Sequence, residues 1–214
     1  MTDWATVASL ATAGATLVLA GATFSAVRSS NRSARIAEQA LLAGRRPLLQ
    51  PSRLDDPQVK FQWRDEHWAR LGGSEAHVVE EDDVIYLALS LRNVGAGAAV
   101  ILGWYLRPEQ ATSVVPFAPI EEFTRQGRDL YIGAGEVGFW QAALRDRGDA
   151  LYDAVSACVS GPARFSVDLL YSDLEGGQRA MTRFLFTPFV SPSSESRWMG
   201  SATFHRNVDN IDPR

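Results

Sequence analysis

The sequence contains few of the residues that build disulfide frameworks and metal centres. Among 214 residues there is one cysteine, Cys158, and there are three histidines, at positions 67, 77 and 205. A single thiol forms no internal disulfide and no cysteine-rich zinc site, and the histidines belong to no HExxH or C-x-x-C motif. We therefore predict no metal and no cofactor, and we expect Cys158 to be a small core residue.

Signatures of catalysis and of nucleotide binding are lacking as well. The sequence has no GxSxG motif, and the segment 95–100 departs from a dinucleotide fingerprint because Val100 stands at the position of the third glycine. A dinucleotide site also needs a helix after the glycines, and none is expected there. The acidic run 80–83 and the loop 173–177 lack EF-hand spacing, so both are interpreted as solvated turns. The sequence thus predicts a protein that is not an enzyme.

Positive charge is limited overall and is supplied almost entirely by arginine. The formal net charge is -4 at pH 7, and Lys60 is the single lysine among 21 basic residues. A dedicated nucleic-acid binder normally carries a basic excess. No nucleic-acid partner is therefore expected.

The longest stretch without an ionisable side chain lies near the N-terminus, where the 24 residues from Trp4 to Val27 carry none. As a helix they extend about 36 Å, which exceeds a hydrocarbon core of about 30 Å. Eight alanines make the segment only moderately apolar, so a signal peptide and a soluble alanine-rich helix are the alternatives. Asp3 makes the leading segment acidic, unlike that of a signal peptide. We predict a retained transmembrane helix whose first partner is the lipid bilayer.

Basic residues flank this stretch on one side only. Arg28, Arg32 and Arg35 follow it, and the segment 28–46 carries five arginines against Glu38 alone. Basic residues next to a span remain cytoplasmic, and they attract anionic headgroups. The sequence predicts a single-pass protein of the inner (plasma) membrane with its C-terminal domain in the cytoplasm.

A seven-residue repeat within the apolar stretch places Val7, Gly14 and Gly21 on one helix face. Glycines on such a face allow a second helix backbone to approach closely. The repeat predicts a homo-oligomer formed through the transmembrane helix, although two glycines among many alanines can also fall in register by chance.

The hydrophobic period changes from helical to two after Pro47. The clearest strand is Val84–Arg92, in which leucine and isoleucine alternate with other residues. The pattern also predicts one helix, 149–158, and further strands at 59–63, 98–106, 114–117, 130–132, 137–142, 164–171 and 179–186. Short strands without alternating helices favour a mainly β protein with an antiparallel, immunoglobulin-like β-sandwich.

Three regions follow from these patterns. Residues 1–46 are predicted to form the transmembrane helix and an arginine-flanked stalk, because the helical pattern continues to Ala43 before Gly44 and Pro47 end it. Residues 47–190 are predicted to form the β-sandwich. Residues 191–214 lose periodicity and are predicted to be an irregular or disordered tail.

The plan also resembles a known group of proteins. The resemblance is carried by Arg35–Ala40 with Arg46-Pro47, by Leu91–Ala99, and by Tyr171-Ser172-Asp173 with Gly176. These segments resemble small, mostly uncharacterised bacterial proteins, frequent in actinobacteria, that join one N-terminal transmembrane helix to an immunoglobulin-like β-sandwich. The resemblance implies an architecture and no activity.

Two tryptophans supply the candidate contact site. Trp63 and Trp68 flank a polar segment that contains His67, and such a combination can stack on a sugar or hold a peptide. The preferred hypothesis is a membrane-anchored, non-enzymatic interaction module that contacts a protein partner at the inner face of the membrane. An outward-facing ligand- or carbohydrate-binding module using exposed tryptophans is the alternative. A hydrolase using His67 or His77 with the carboxylates of 80–83 is the least favoured hypothesis.

Overall fold

The computed structural model describes residues 3–110, 114–190 and 196–209. The chain consists of two units, Met1–Gly44 and Arg45–Arg214. The first unit is a helix and the second is mainly β.

The first unit contains α1, a single helix of 41 residues from Trp4 to Gly44. Every α1 side chain that the structure describes is exposed. The section Val7–Glu38, with a hydropathy of 1.6, is long and apolar enough to span a membrane by length and composition, a test that a signal sequence also passes. The helix ends at Gly44, because glycine readily terminates a helix and Pro47 cannot extend it.

The second unit contains eleven strands and α2 within its described residues. The helix α2 spans Ala150–Ser160. The strands are β1 Leu49–Pro51, β2 Val59–Gln62, β3 Trp68–Leu71, β4 Glu75–Glu81, β5 Val84–Asn93, β6 Ala99–Arg107, β7 Thr124–Ile132, β8 Val137–Leu144, β9 Phe165–Ser172, β10 Ala180–Val190 and β11 Ser196–Asn207.

Nine of these strands form one antiparallel sheet. Its order is β1-β5-β4-β11-β10-β9-β6-β7, with β8 also paired to β5. The strands β1 and β4 pair with successive parts of β5, so β8 occupies the other edge of β5. The sheet curls, and the amide nitrogen Nε2 of Gln126 on β7 donates to the carbonyl of Gln141 on β8 at 3.1 Å. The mainly β, antiparallel prediction is confirmed, whereas a two-sheet immunoglobulin-like sandwich is not confirmed by this topology.

The strand β5 lies at the centre of the packing and is buried on both faces. Leu87 and Leu89 are fully buried in the main core. Tyr86 and Ala88 point to the opposite face, where the separate β2–β3 hairpin covers them in a second cluster. This cover explains why β5 lacks an exposed face despite its alternating sequence.

Two local sequence predictions agree with the structure, the start of α2 and, in part, the turn predicted at 80–83, of which Glu80 and Glu81 belong to β4 instead. Asp82 and Asp83 join β4 to β5 with φ angles of 49° and 63°, a left-handed pair typical of a tight hairpin turn. Asp149 begins α2 by accepting a hydrogen bond from the backbone N–H of Leu151 at 2.9 Å. Cys158 is buried on α2, as expected, and burial raises the pKa of its thiol.

The predicted strand 114–117 is wrong, because this segment forms a turn and irregular backbone. Its carbonyl groups are used by a side chain instead of a neighbouring strand. The guanidinium group of Arg183 donates to the carbonyls of Val115 at 2.7 Å and Pro116 at 3.3 Å.

The predicted irregular tail is also wrong for residues 196–207, which form β11 and pair with β10. A register shift between Arg183 and Phe184 of β10 leaves Thr203 of β11 without a register partner. Residues 201–203 of β11 are exposed. The strand is therefore defined by backbone hydrogen bonds to β10 more than by its own hydrophobic pattern. The remaining tail positions, 191–195 and 210–214, lie outside the described residues.

Candidate functional site

The two tryptophans of the predicted contact site have different environments. Trp63 is only 4% exposed, and its indole N–H donates to the carbonyl of Ala142 on β8 at 3.0 Å. Trp68 on β3 is 55% exposed, with the Lys60 ammonium 4.5 Å from its ring centroid. The expectation that both rings are exposed is wrong for Trp63, because the β2–β3 hairpin folds its first strand against β8.

The structure brings together two histidines that are ten residues apart in the chain. The ring of His67 stacks on Tyr86 at 4.0 Å between centroids, and His77 lies 5.7 Å from His67. Trp63 contacts both imidazoles, at 5.2 and 5.4 Å. Sequence reasoning treated the histidines as scattered, since only the packing of the hairpin on β4 and β5 makes them neighbours. His205 lies elsewhere, with Nδ1 3.0 Å from the hydroxyl of Thr182.

Burial controls the protonation of His77. Burial, followed by the nearby His67, lowers the pKa of His77 to about 4, so His77 is neutral at neutral pH. The Nε2 atoms of both histidines are buried without a hydrogen-bond partner among the described residues. Of the acidic run, Glu81 lies 3.4 Å from Nδ1 of His67, whereas Glu80 accepts hydrogen bonds from the hydroxyls of Tyr152 and Ser156 on α2.

A tyrosine, an aspartate and an arginine border the histidine pair. Tyr86 donates its hydroxyl to Asp65 at 2.8 Å, and Arg145 donates to the same carboxylate oxygen at 2.8 Å. Burial and then the hydrogen bond to Asp65 raise the pKa of Tyr86 to about 12. Within the described ranges, no group of three or more histidine, cysteine or acidic side chains could hold a metal ion.

A cavity lies beside this cluster, where β7 leaves its neighbour β6. Ile101 pairs with Leu130, but the next paired residue of β6, Gly103, faces Arg125. The residues 126–129 of β7 therefore have no register partner on β6. Irregularities of this kind redirect side chains and often occur next to functional sites. Here the bulged segment of β7 turns toward β8 and the β2–β3 turn.

The cavity has a volume of about 220 Å³ and is rich in arginine. Four guanidinium groups border it, from Arg64, Arg125, Arg128 and Arg145. The indoles of Trp63 and Trp104 form apolar walls. None of the described lining residues is acidic.

Two glutamine side chains complete the cavity wall. Gln141 is only 7% exposed, and its Oε1 atom has no hydrogen-bond partner among the described residues. Gln126 also has a buried Oε1 without such a partner, while its Nε2 atom bridges to β8. Buried polar atoms are normally paired with protein or solvent. Both atoms are amide oxygens, so each can still accept a hydrogen bond from a further donor.

The sequence analysis did not identify this cavity. The segment Thr124–Arg128 contains two arginines around Gln-Gly, which is a weak signal in a protein with many arginines. Arg64 and Arg145 come from other elements, and nothing in the sequence pattern connects them to β7.

Comparisons with known proteins add no assignment. No protein-family model matches the chain, and no curated protein matches it. A solved structure described as the crystal structure of a protein from Archaeoglobus fulgidus aligns with 73% of this chain and 98% of its own, at 9% identity and a TM-score of 0.24. A likeness at that TM-score carries no argument about fold or function.

Proposed function

We propose that this protein is a membrane-anchored, non-enzymatic interaction module. Its helix α1 holds it in the lipid bilayer, and its β unit contacts a protein partner at the inner face of the membrane. The supporting observation is α1 itself, a long apolar helix with no described side chain buried in the protein. The immunoglobulin-like character of the β unit belongs to the same proposal.

The polar groups of α1 are compatible with a lipid environment. The hydroxyls of Thr12, Thr16 and Thr23 donate to carbonyls one turn earlier, at 2.8 to 2.9 Å. Each hydroxyl proton is thus satisfied within the helix, as hydrocarbon surroundings require. No water is needed to satisfy these donors.

The cationic part of α1 supports the proposed orientation. Arg28, Arg32 and Arg35 are exposed and are spaced four and three residues apart, so they share one helix face. Cationic residues that follow an apolar span favour the cytoplasmic side. The β unit follows them in the chain and would be cytoplasmic as well.

A topology experiment tests this proposal. A reporter active only in the cytoplasm, fused after Arg214, should be active, and the protein should remain in membranes through a high-salt wash. A triple variant with Arg28, Arg32 and Arg35 changed to glutamine should lower that reporter signal. Changing Arg70, Arg164 and Arg206 of the β unit to glutamine removes the same charge and should leave the signal unchanged.

Two outcomes would contradict the proposal. Release of the protein by salt alone would show that α1 is not an integral span. A reporter signal only outside the cytoplasm would support the second candidate, an outward-facing ligand- or carbohydrate-binding module. That candidate is favoured by one observation, the exposed Trp68 ring beside Lys60.

A further inference from the structure

The geometry points to a phosphate-binding site in the cavity between the bulged segment of β7 and β8. The ligand is a phosphate group, either free or carried by a lipid headgroup. This inference goes beyond the anchoring role and does not depend on the side of the membrane that the β unit occupies.

The charge around the cavity favours an anion. Among the described residues, no carboxylate forms an ion pair with Arg64, Arg125 or Arg128, whereas Arg145 is shared with Asp65 at 2.8 Å. Guanidinium groups close together repel one another unless an anion lies between them. Their planar donor arrays match phosphate oxygens and can bind them in pairs.

The size of the cavity favours a single charged group. Pockets for drug-sized ligands measure about 300–1,000 Å³, and this cavity of about 220 Å³ is smaller. The walls formed by Trp63 and Trp104 are apolar, and both tryptophans are buried. Apolar walls lower the local dielectric constant and strengthen hydrogen bonds between arginine and phosphate.

The side-chain amide of Gln141, whose Oε1 atom has no partner among the described residues, provides a specific polar contact. A 180° rotation of this amide swaps the positions of its oxygen and its NH₂ group. In one orientation the side chain can donate to a phosphate oxygen, and in the other it can accept from a phosphate hydroxyl. Because Gln141 is 7% exposed, bulk water has little access to it. A bound phosphate group would satisfy this buried amide.

Contacts within the β unit hold Arg64, Gln126 and Arg128 in place before any ligand binds. Arg64 donates through Nη2 to the carbonyl of Gly127 in the bulged segment. Gln126 bridges to the carbonyl of Gln141 at 3.1 Å, and the guanidinium carbon of Arg128 lies 5.7 Å from the Phe139 ring centroid. Preorganised donors lose less conformational entropy on binding.

The test uses the full-length protein in a neutral detergent, titrated with inorganic phosphate at constant ionic strength, with sodium chloride as the control titrant. Binding is followed by calorimetry and by tryptophan fluorescence, since Trp63 and Trp104 line the cavity. We expect saturable binding of one phosphate per chain. No saturable binding, or the same response to chloride, would overturn the inference.

Matched variants locate the binding site. Arg125→Gln with Arg128→Gln removes two exposed charges and should weaken phosphate binding at least about tenfold, and Gln141→Glu should abolish it by placing a carboxylate in the cavity. Arg164→Gln with Arg206→Gln removes the same charge elsewhere and should change affinity less than about twofold. Equal losses of phosphate affinity in the two double variants would show a general effect of charge and would overturn the assignment of the site to this cavity.

A second titration distinguishes the two sources of phosphate. Dihexanoyl phosphatidic acid is compared with dihexanoyl phosphatidylcholine, in which choline masks the phosphate charge. Tighter binding of phosphatidic acid than of inorganic phosphate supports a lipid headgroup, whereas the reverse order supports free phosphate. Equal binding of the two lipids, with no binding of inorganic phosphate, would overturn the inference because only acyl chains would then be recognised.

Discussion

The helix α1 and the β unit satisfy their polar groups over very different distances in the chain. In α1 the hydroxyl of Thr16 donates to a carbonyl four residues earlier at 2.8 Å. In the β unit, Asn93 is fully buried and accepts from the N–H of Leu48 at 3.1 Å while donating to the carbonyl of Ile132 at 3.0 Å. The helix needs no partner for its own hydrogen bonds, whereas the β unit depends on contacts between distant segments.

The two regions also differ in how their apolar surface is covered. Leu17 and Phe24 of α1 are 74% and 70% exposed, whereas Leu87 and Phe184 of the β unit are fully buried. The β unit therefore covers its core with its own residues, whereas α1 taken by itself leaves its apolar side chains exposed. That exposure is the reason for the proposal that α1 lies in a membrane.

The largest effect is expected at the buried ion pair of the β unit. The guanidinium of Arg183 donates twice to Asp168, at 2.7 and 2.9 Å, and both side chains are fully buried. Arg183→Met leaves Asp168 without its main partner and should lower the free energy of unfolding by about 3–5 kcal/mol. Urea denaturation of the full-length protein in detergent, followed by tryptophan fluorescence, measures this change.

An exposed ion pair serves as the control for that experiment. Arg147 lies 3.1 Å from Asp83, with side-chain exposures of 61% and 67%. Arg147→Met should change stability by less than about 1 kcal/mol. Similar losses from both variants would contradict the distinction between buried and exposed pairs.

The next effect concerns apolar packing in β5. Leu89 is fully buried, and Leu89→Ala should cost about 2–5 kcal/mol because it removes buried methyl groups and leaves a cavity. Leu174→Ala, at a position 66% exposed, should leave the unfolding midpoint nearly unchanged. A small effect at Leu89 would show that the β unit does not cover its own core as described.

A smaller effect is expected from the pH dependence of folding. The folded-state pKa of His77 is about 4, below the ordinary value of 6.5. As the pH falls, His77 is therefore protonated in the unfolded chain before it is protonated in the folded protein. The resulting stability is fully present above about pH 6.5 and is lost as the pH falls toward 4, by on the order of 2 kcal/mol. Urea midpoints measured across this range should therefore fall on acidification.

The variant His77→Phe tests the assignment of that pH dependence. Phenylalanine keeps an aromatic ring next to His67 but cannot take up a proton, so the slope between pH 6.5 and 4 should become smaller. An unchanged slope would show that another group is responsible.

The smallest effect is expected in α1. A Cβ atom at Gly14 or Gly21 would have no heavy atom within 4 Å besides the helix's own backbone, so leucine fits there within the isolated helix. If Val7, Gly14 and Gly21 line a contact between helices, Gly14→Leu with Gly21→Leu should weaken self-association by about 1 kcal/mol. A transmembrane association reporter measures the change, with insertion checked separately.

The matched control for this helix–helix contact uses the neighbouring alanines. Ala15→Leu with Ala22→Leu adds similar bulk on an adjacent face and should affect association less. Equal signals from both variants and the unaltered helix would show that the repeat is accidental and that α1 is a plain anchor.

Features that depend on neighbours in sequence could be predicted, and features that depend on distant segments could not. Local patterns were sufficient for α1, for the strand β5 and for the Asp82-Asp83 turn, because each depends on neighbours in sequence. They failed at 114–117 and at β11, where the guanidinium of Arg183 and the register of β10 decide the backbone's partners. The arginine-lined cavity was missed because its residues come from separate elements and are brought together only by packing.

The sequence by itself determined that one end of the chain is a long, apolar, arginine-flanked helix and that the rest alternates as β-strands. Those properties depend on side-chain type and periodicity. Only the tertiary structure decided that Trp63 is buried, that His67 lies beside His77, and that the cavity at β7 is bordered by arginines. The physical reason is that the curled sheet and the β2–β3 hairpin place residues from separate elements in contact, where burial and charge act across space.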